Sequence, residues 1–493
     1  MNDGLSTRAQ DIHPITRASR EDALPLSFAQ ERLWFWEQLH PGTSTYNLTS
    51  AFRVDGDLDV TVLEQSLNEI MRRHEILRTS YTAVEGLPVQ IVTPHSFVPL
   101  SVRDLGYLPQ PERDFEVRRL AGEEALQPFD LTRAPLLRVS LLRLGAREHV
   151  ALLSMHHIVS DVWSLGVLVE EIVTLYQEFL NGNTSPLPEL PVQYADFAKW
   201  QREWLKGEVL ADQLGYWKEQ LRDAPLLQLR TDRPRPQVYS AKGSIVPVNL
   251  PSGLVRELKS LSRNNNVTLF MTLLAAFNVL LHRHTGQNDI VVGTDIANRT
   301  RVETEKLIGF FVNMLVLRTD LKGDPTFTEL LRRVREVTLG AYSHQDMPFA
   351  KLVDEIHLRR ELTRNPLFQV VFVLQNAPMK DLELSGLTLT PLELDVKSAP
   401  FDLAFVLSEA ADTLTGAVTY STELFERRTI ERLIGHYQNV LEGVVADPDR
   451  ALSNLAILQD SEIDSHAISS FEVKLSRKDL EDVLFELSQA SHS

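Results

Sequence analysis

The stretch "EHVALLSMHHIVSDVWSLGVLVEEIVTLYQEFLNG", residues 148–182, changes character half-way along. Residues 148–157 form an apolar run of strand length, which predicts a buried β-strand. From Ser164 to Gly182 the apolar residues recur at helical spacing, which predicts an amphipathic α-helix with Gly182 as its C-cap. The junction "SMHHIVSDVWS", residues 154–164, places His156 and His157 at the strand end and Asp161 just past it. Neighbouring side chains on a strand point to opposite faces, so the two histidines share one cavity only if the strand has already ended. One histidine is expected to point into the core and take a backbone partner, and the other to face a cleft. Asp161 is expected to pair with that region or with an arginine from elsewhere. Residue types alone leave three readings open: a catalytic strand end, a metal site, or a buried polar turn. The metal reading has the least support, because no second His/Asp cluster at ligand spacing is evident and the chain has no cysteine.

Outward from this junction, both halves of the chain alternate amphipathic helices with β-rich runs. Residues 58–81 read as a helix from the spacing of Leu63, Leu67, Ile70, Met71 and Leu77, with His74 on the apolar stripe as a core residue. "TSYTAVEGLPVQIVT" then reads as a hairpin around Glu85–Gly86. The Trp-rich residues 194–221 read as helical, and "RTDRPRPQ", residues 230–237, as a linker. A second series follows: an apolar helix over 264–286 ending near Gly286, a strand "DIVVGTDIA", a β-rich run "IGFFVNMLVLRTDL", a helix over 326–345 and a strand "PLFQVVFVLQN". The pattern predicts an α/β protein of two similarly built lobes: a flexible N-terminus (1–19), a first lobe (20–190), linker helices with a second lobe (191–455), and a tail (456–493). In the tail "FEVKLS" alternates like a short strand. "SRKDLEDVLFELSQ" reads as an amphipathic helix, capped by Ser476 with Asp479 and carrying Leu480, Val483, Leu484 and Leu487 on one face.

Composition narrows the function. A chain of 493 residues exceeds one ordinary core, and 43% hydrophobic with 24% charged residues reads as globular. A net charge of −17 makes nucleic acid a poor partner. The absence of cysteine removes disulfides, thiolate metal sites and a cysteine nucleophile. No run of 18 apolar residues occurs and the N-terminus lacks an apolar signal core. The expected location is cytoplasmic, with no membrane partner.

"SMHHIVSDVWS" resembles the His-His-x-x-x-Asp motif of condensation domains of nonribosomal peptide synthetases. Further stretches resemble the family's other motifs in the family's order: "LSFAQERLWFWEQL" (26–39), "RHEILRTSY" (73–81), "YADFAKW" (194–200), "IGFFVNMLVLR" (308–318), "HQDMPFAKLV" (344–353) and "RNPLFQVVFVLQN" (364–376). The resemblance covers residues 20–455. It implies two chloramphenicol acetyltransferase-like lobes in a V-shaped pseudodimer with a central tunnel. It also implies attack of an acceptor amine on an acyl or peptidyl thioester, both substrates being carried on the phosphopantetheine of donor and acceptor peptidyl carrier proteins. No tightly bound cofactor or metal is implied.

The resemblance assigns roles residue by residue. His157 faces the tunnel, and Asp161 is a structural brace paired with an arginine; on that placement His157 is expected to position the amine and accept its proton, and His156 to pack behind it. Arg73 and Arg78, in the second motif, are the candidate partners, although Arg78 also reads as a solvated helix end. Trp163 and Ser164 follow in the same turn. Asn313 lines the tunnel or serves as a strand amide. Val162 departs from the family, which has glycine there. Valine keeps the backbone N–H as an oxyanion donor but loses the tolerance for positive φ and close substrate approach. Alternatives stay open: ester formation or a free soluble amine as acceptor, a related epimerisation, a non-catalytic platform that recruits other enzymes, and a tail that docks onto another part of a downstream synthetase. Heterocyclising relatives replace the His pair with aspartate, which argues against that activity here.

Overall fold

The computed structural model describes residues 14–236, 242–356, 365–375, 383–384, 386–392, 398–410 and 413–456. The tail features beyond residue 456, including the docking reading, lie outside the described residues. The first half runs β1 (Leu24–Pro25), α1 (Phe28–Leu39), β2 (Asn47–Gly56), α2 (Val60–Arg73), β3 (Thr79–Val84), β4 (Leu87–Val92), β5 (Ser101–Asp104), α3 (Gln110–Leu126), β6 (Leu137–Arg143), β7 (Glu148–His156) and α4 (Val162–Leu180). The second runs α5 (Tyr194–Trp204), α6 (Gly207–Gln220), β8 (Gly243–Leu250), α7 (Ser252–Asn264), α8 (Leu269–Thr285), β9 (Asp289–Ile296), α9 (Val302–Glu305), β10 (Asn313–Asp320), α10 (Phe327–Ser343) and α11 (Phe349–Glu355). It closes with β11 (Val370–Gln375), β12 (Glu383–Leu384), β13 (Leu387–Leu392), β14 (Leu403–Ala410), β15 (Thr413–Ser421) and α12 (Arg427–Ala446).

Each half is built on a six-stranded mixed sheet, so the α/β expectation holds. The second sheet has the order β10-β9-β11-β14-β15-β8, and its core helix is α8. Every residue of α8 from Met271 to Leu281 is buried, as a helix that is apolar all round must be. Gly286 caps it at φ 72°, the left-handed C-cap read from the sequence. The helix is shorter at its start than the periodicity suggests, because Asn266 takes a left-handed turn (φ 52°) and Thr268 caps a new helix. No single helix among the described residues is long and apolar enough to cross a membrane.

The first sheet has the order β12-β13-β2-β7-β6-β5, and this corrects the lobe boundary. β13 lies late in the chain yet pairs with β2 from Leu387↔Gly56 to Leu392↔Ala51. Two more pieces of residues 191–455 complete the first half's core: Val192 just before α5 with Tyr194, Phe197 and Ala198 in it, and Leu307, Ile308, Phe310 and Phe311 before β10. The run "IGFFVNMLVLRTDL" is therefore strand only from Asn313. Its apolar start is buried by a lobe to which it is not sequence-adjacent. The N-terminus is corrected too. Residues 14–19 are anchored, with Ile15 in the core and the Arg17 guanidinium donating to the Leu190 carbonyl at 2.7 Å.

The helix read over 58–81 stops at Arg73, and residues 75–78 form a single 3-10 turn leading into the β3–β4 hairpin. The hairpin turns at Glu85 (φ 51°) and Gly86 (φ 81°), two left-handed positions that match the twist of the strands. Packing is tight where the two halves meet. A Cβ on Gly309 would lie 2.0 Å from the Tyr194 ring and 2.7 Å from Phe311. Gly309→Ala is expected to cost about 1–3 kcal/mol through over-packing, read as a lower denaturation midpoint at unchanged slope.

Candidate active site

β7 ends at its last rung with β2, His156↔Asn47. His157 leaves the ladder, donates its N–H to the Tyr46 carbonyl at 2.8 Å and opens a 3-10 turn over 157–159. The strand thus ends between the two histidines, and their environments diverge. His156 is 2% exposed, with the rings of Tyr46 and Phe129 about it. Its Nδ1 accepts from the Ile158 N–H at 3.1 Å, so the ring proton sits on Nε2. Burial, and secondarily the neighbouring His157, push its pKa down to about 3. His156 is a neutral core histidine with a backbone partner.

His157 is half-buried and packs against the Phe310 ring at 4.5 Å. Its Nδ1 lies 2.7 Å from the Ser160 carbonyl oxygen. A carbonyl only accepts, so Nδ1 carries the proton and Nε2 the lone pair. Among the described residues, nothing hydrogen-bonds to Nε2. Burial lowers the ring's pKa, against the opposing pull of the Ser160 bond and the Asp161 charge, which keeps His157 neutral at pH 7.

Asp161 caps α4 and is buried. Its Oδ1 accepts from the Ser164 N–H (2.8 Å), the Ser164 hydroxyl (2.6 Å) and Arg299 Nη2 (3.1 Å), and its Oδ2 from the Phe311 N–H (3.0 Å). Ser164 Oγ also accepts from the Gly309 N–H (2.9 Å) and Arg299 Nη2 (2.8 Å). Trp163 donates its indole N–H to the Glu305 carbonyl at 2.9 Å. The N-terminus of α4 is thereby tied to residues 299–311, and the turn that orients His157 is held from both halves of the chain.

The arginine on Asp161 is Arg299, not Arg73 or Arg78. Arg299 is buried, donates from Nη1 to the carbonyls of Thr304 and Leu307, and faces the Phe311 ring at 4.2 Å. Arg73 is committed elsewhere: it pairs with Glu171 of α4 at 2.9 Å and donates to the Pro188 carbonyl. Glu171 also takes His74 Nε2 at 3.0 Å, while His74 Nδ1 accepts from the Ile308 N–H at 3.3 Å. The core histidine at position 74 is therefore a polar link, not an apolar filler. Arg78 donates to the Thr93 carbonyl at 2.5 Å and its side chain is 13% exposed, so it is no solvated helix end. Arg299 escaped the sequence reading because it lies 138 residues from Asp161, in a loop without periodicity.

The profile of the condensation domain family matches residues 20–465. The chain belongs to that family. It is 49% identical over 455 residues to one of the proteins that make up the linear gramicidin synthase of Brevibacillus parabrevis, a match covering 91% of this chain and 9% of that one. The condensation domain thus spans less than a tenth of the first curated relatives, at 9%, 6% and 9% of their lengths. Among solved structures it superposes on the X-domain from teicoplanin biosynthesis with a TM-score of 0.82 at 30% identity, covering 90% of this chain and all of that one. It superposes on holo-AB3403, a four-domain nonribosomal peptide synthetase bound to AMP and glycine, with a TM-score of 0.80 at 25% identity, covering 90% of this chain and 34% of that one.

Two positions of the condensation domain read differently in the structure. Val162 is the first residue of α4, has no positive φ and is 43% exposed. The freedom that glycine would bring is not used by this backbone. Val162→Gly is expected to change stability by less than about 1 kcal/mol, as measured by urea denaturation. Asn313 spends both side-chain N–H groups on the carbonyls of Gln345 (2.9 Å) and Met347 (2.8 Å), and its Oδ1 accepts from the Phe349 N–H (3.0 Å). It fastens the 345–349 loop to β10 and does not offer its amide to a substrate. Among the described residues, no three His, Asp or Glu side chains are grouped as metal ligands.

Proposed function

We propose that this domain joins an acyl or peptidyl group, held as a thioester on one carrier protein, to the amine of an acceptor held on another. The amine nitrogen attacks the thioester carbonyl carbon and the C–N bond forms. Collapse of the tetrahedral intermediate breaks the C–S bond. The amine proton passes to His157 Nε2 and then to the departing sulfur, so the products are an amide on the acceptor carrier and a free thiol on the donor's phosphopantetheine. The observation that carries this reading is the His157 tautomer: Nδ1–H bound to the Ser160 carbonyl, a neutral ring, and an Nε2 lone pair that none of the described residues engages. The Val162 N–H at the start of α4 is a backbone donor beside that turn and is the candidate for the oxyanion.

Much of the rate comes from holding two tethered reactants in line, which removes as much as ~7–11 kcal/mol of barrier. A non-catalytic platform has no use for a histidine held neutral in one tautomer by a clamp that draws on both halves of the chain. The carriers, and a cytoplasmic setting for them, belong to this proposal. The test is reconstitution with donor carriers loaded with fatty acyl, peptidyl or aminoacyl groups and an aminoacyl acceptor carrier, read by intact mass. The acceptor carrier should gain the donor's acyl mass. No gain with any donor class would overturn the reading.

A further inference from the structure

β9 and β10 run together into the clamp. Their last rungs pair Asp295 with Met314 and Ile296 with Asn313. Four residues beyond Asp295 is Arg299, which grips Asp161. Three residues before Met314 is Phe311, whose N–H bonds the same carboxylate, and Phe310 before it touches the His157 ring. At no more than about 3.6 Å per residue, four residues keep Asp295 within roughly 14 Å of Arg299, which grips Asp161.

The surroundings of Asp295 are unusual for a carboxylate. The residue is only partly exposed, and among the described residues its carboxylate accepts from no other residue, only from its own backbone N–H. Arg299, four residues on, has both terminal nitrogens engaged by Asp161, Ser164, Thr304 and Leu307, and its Nε bonds to none of the described residues. Burial foremost, and then the Asp161 charge, push the Asp295 carboxyl up to about 6 against that single N–H. At pH 7 the carboxylate form therefore predominates, and among the described residues no cation pairs with it. A partly buried carboxylate left in this state costs free energy unless a cation meets it in the working complex.

The amide-forming reading, on which this inference rests, brings one cation to the place. An acceptor α-amine with a pKa of about 8 arrives mostly as ammonium. We propose that Asp295 is the acceptor-binding carboxylate, taking the hydrogen bonds of the acceptor's ammonium and setting its nitrogen toward Nε2 of His157. The nitrogen attacks after the ammonium has lost one proton to solvent. Asp295 thus acts in recognition and leaves the proton of C–N bond formation to His157.

The test compares Asp295→Asn and Asp295→Glu with the unaltered protein on two acceptors. One is a carrier loaded with an aminoacyl group. The other is the same carrier loaded with the aminooxyacyl analogue, whose nucleophilic nitrogen is uncharged at pH 7. Asp295→Asn is expected to raise the acceptor KM by about ten- to hundredfold with the aminoacyl carrier, leaving the donor KM unchanged. The penalty should vanish with the aminooxyacyl carrier, and Asp295→Glu, which keeps the charge, should recover part of the loss. Equal penalties on both acceptors would reassign Asp295 to a structural role and overturn the proposal, as would an unchanged acceptor KM. If the unaltered protein makes product with neither acceptor, the amide-forming reading fails and takes this inference with it.

Discussion

Alanine in place of His157 is expected to slow condensation by about 10²–10⁴-fold with both carriers saturating, the span usual for a positioned general base. The expectation follows from where the proton is. The Ser160 carbonyl holds Nδ1–H, so the lone pair of a neutral ring must sit on Nε2. Saturating carriers separate this loss from any loss of binding, because a group acting only in the transition state lowers kcat without raising KM. His157→Gln keeps a hydrogen-bonding side chain without basicity and should recover little of the rate. A His157→Ala loss below about tenfold would sink the base role and leave positioning alone. The pH profile gives a second reading. Burial holds the folded-state pKa of His157 below that of a free histidine, so the lone pair survives as pH falls through about 6.5 and is lost only further down. The acid limb of kcat assigned to His157 should therefore lie below the ordinary histidine range, and disappear in His157→Ala.

What the sequence disclosed was local, and what it hid was long-range. The strand-to-helix junction at 148–182 was legible because its period changes within the stretch, and the divergence of His156 and His157 followed from strand geometry. The turn at Gly86 and the cap at Gly286 were legible from their glycines, since left-handed backbone favours glycine. Residues 308–311 looked like the start of a strand because their apolar character is real, but it is spent on the core of the other half. β13 could not be assigned to the first sheet, because strand alternation says that a face is covered and not by what. The side chains of Arg73 and Arg299 are buried and that of Arg78 is largely covered, and only coordinates show which carboxylate each one meets. Resemblance named the ion pair. It could not choose the arginine.

Arg299→Ala is expected to be the most destabilising single change at the site, by about 3–5 kcal/mol, because it leaves the buried Asp161 carboxylate without its cation. The loss should reach beyond that pair. Arg299 also ties the carbonyls of Thr304 and Leu307 and the hydroxyl of Ser164, so its removal frees the segment that packs Phe310 against His157. Turnover should then fall by more than the unfolded fraction accounts for, since His157 would keep its tautomer but lose its placement. Arg299→Lys is not conservative here. One ammonium cannot span four acceptors that a planar fork reaches together, so lysine should restore only part of the stability. A double-mutant cycle with Asp161→Asn separates pairing from packing. Asparagine removes the buried charge, and Arg299→Ala on that background should cost less than on the native one, with a coupling of about 0.5–3 kcal/mol. Strict additivity in the denaturation midpoints would mean that the two residues stand close without acting on each other. The α4 cap would then owe its stability to Ser164 and the Phe311 N–H alone.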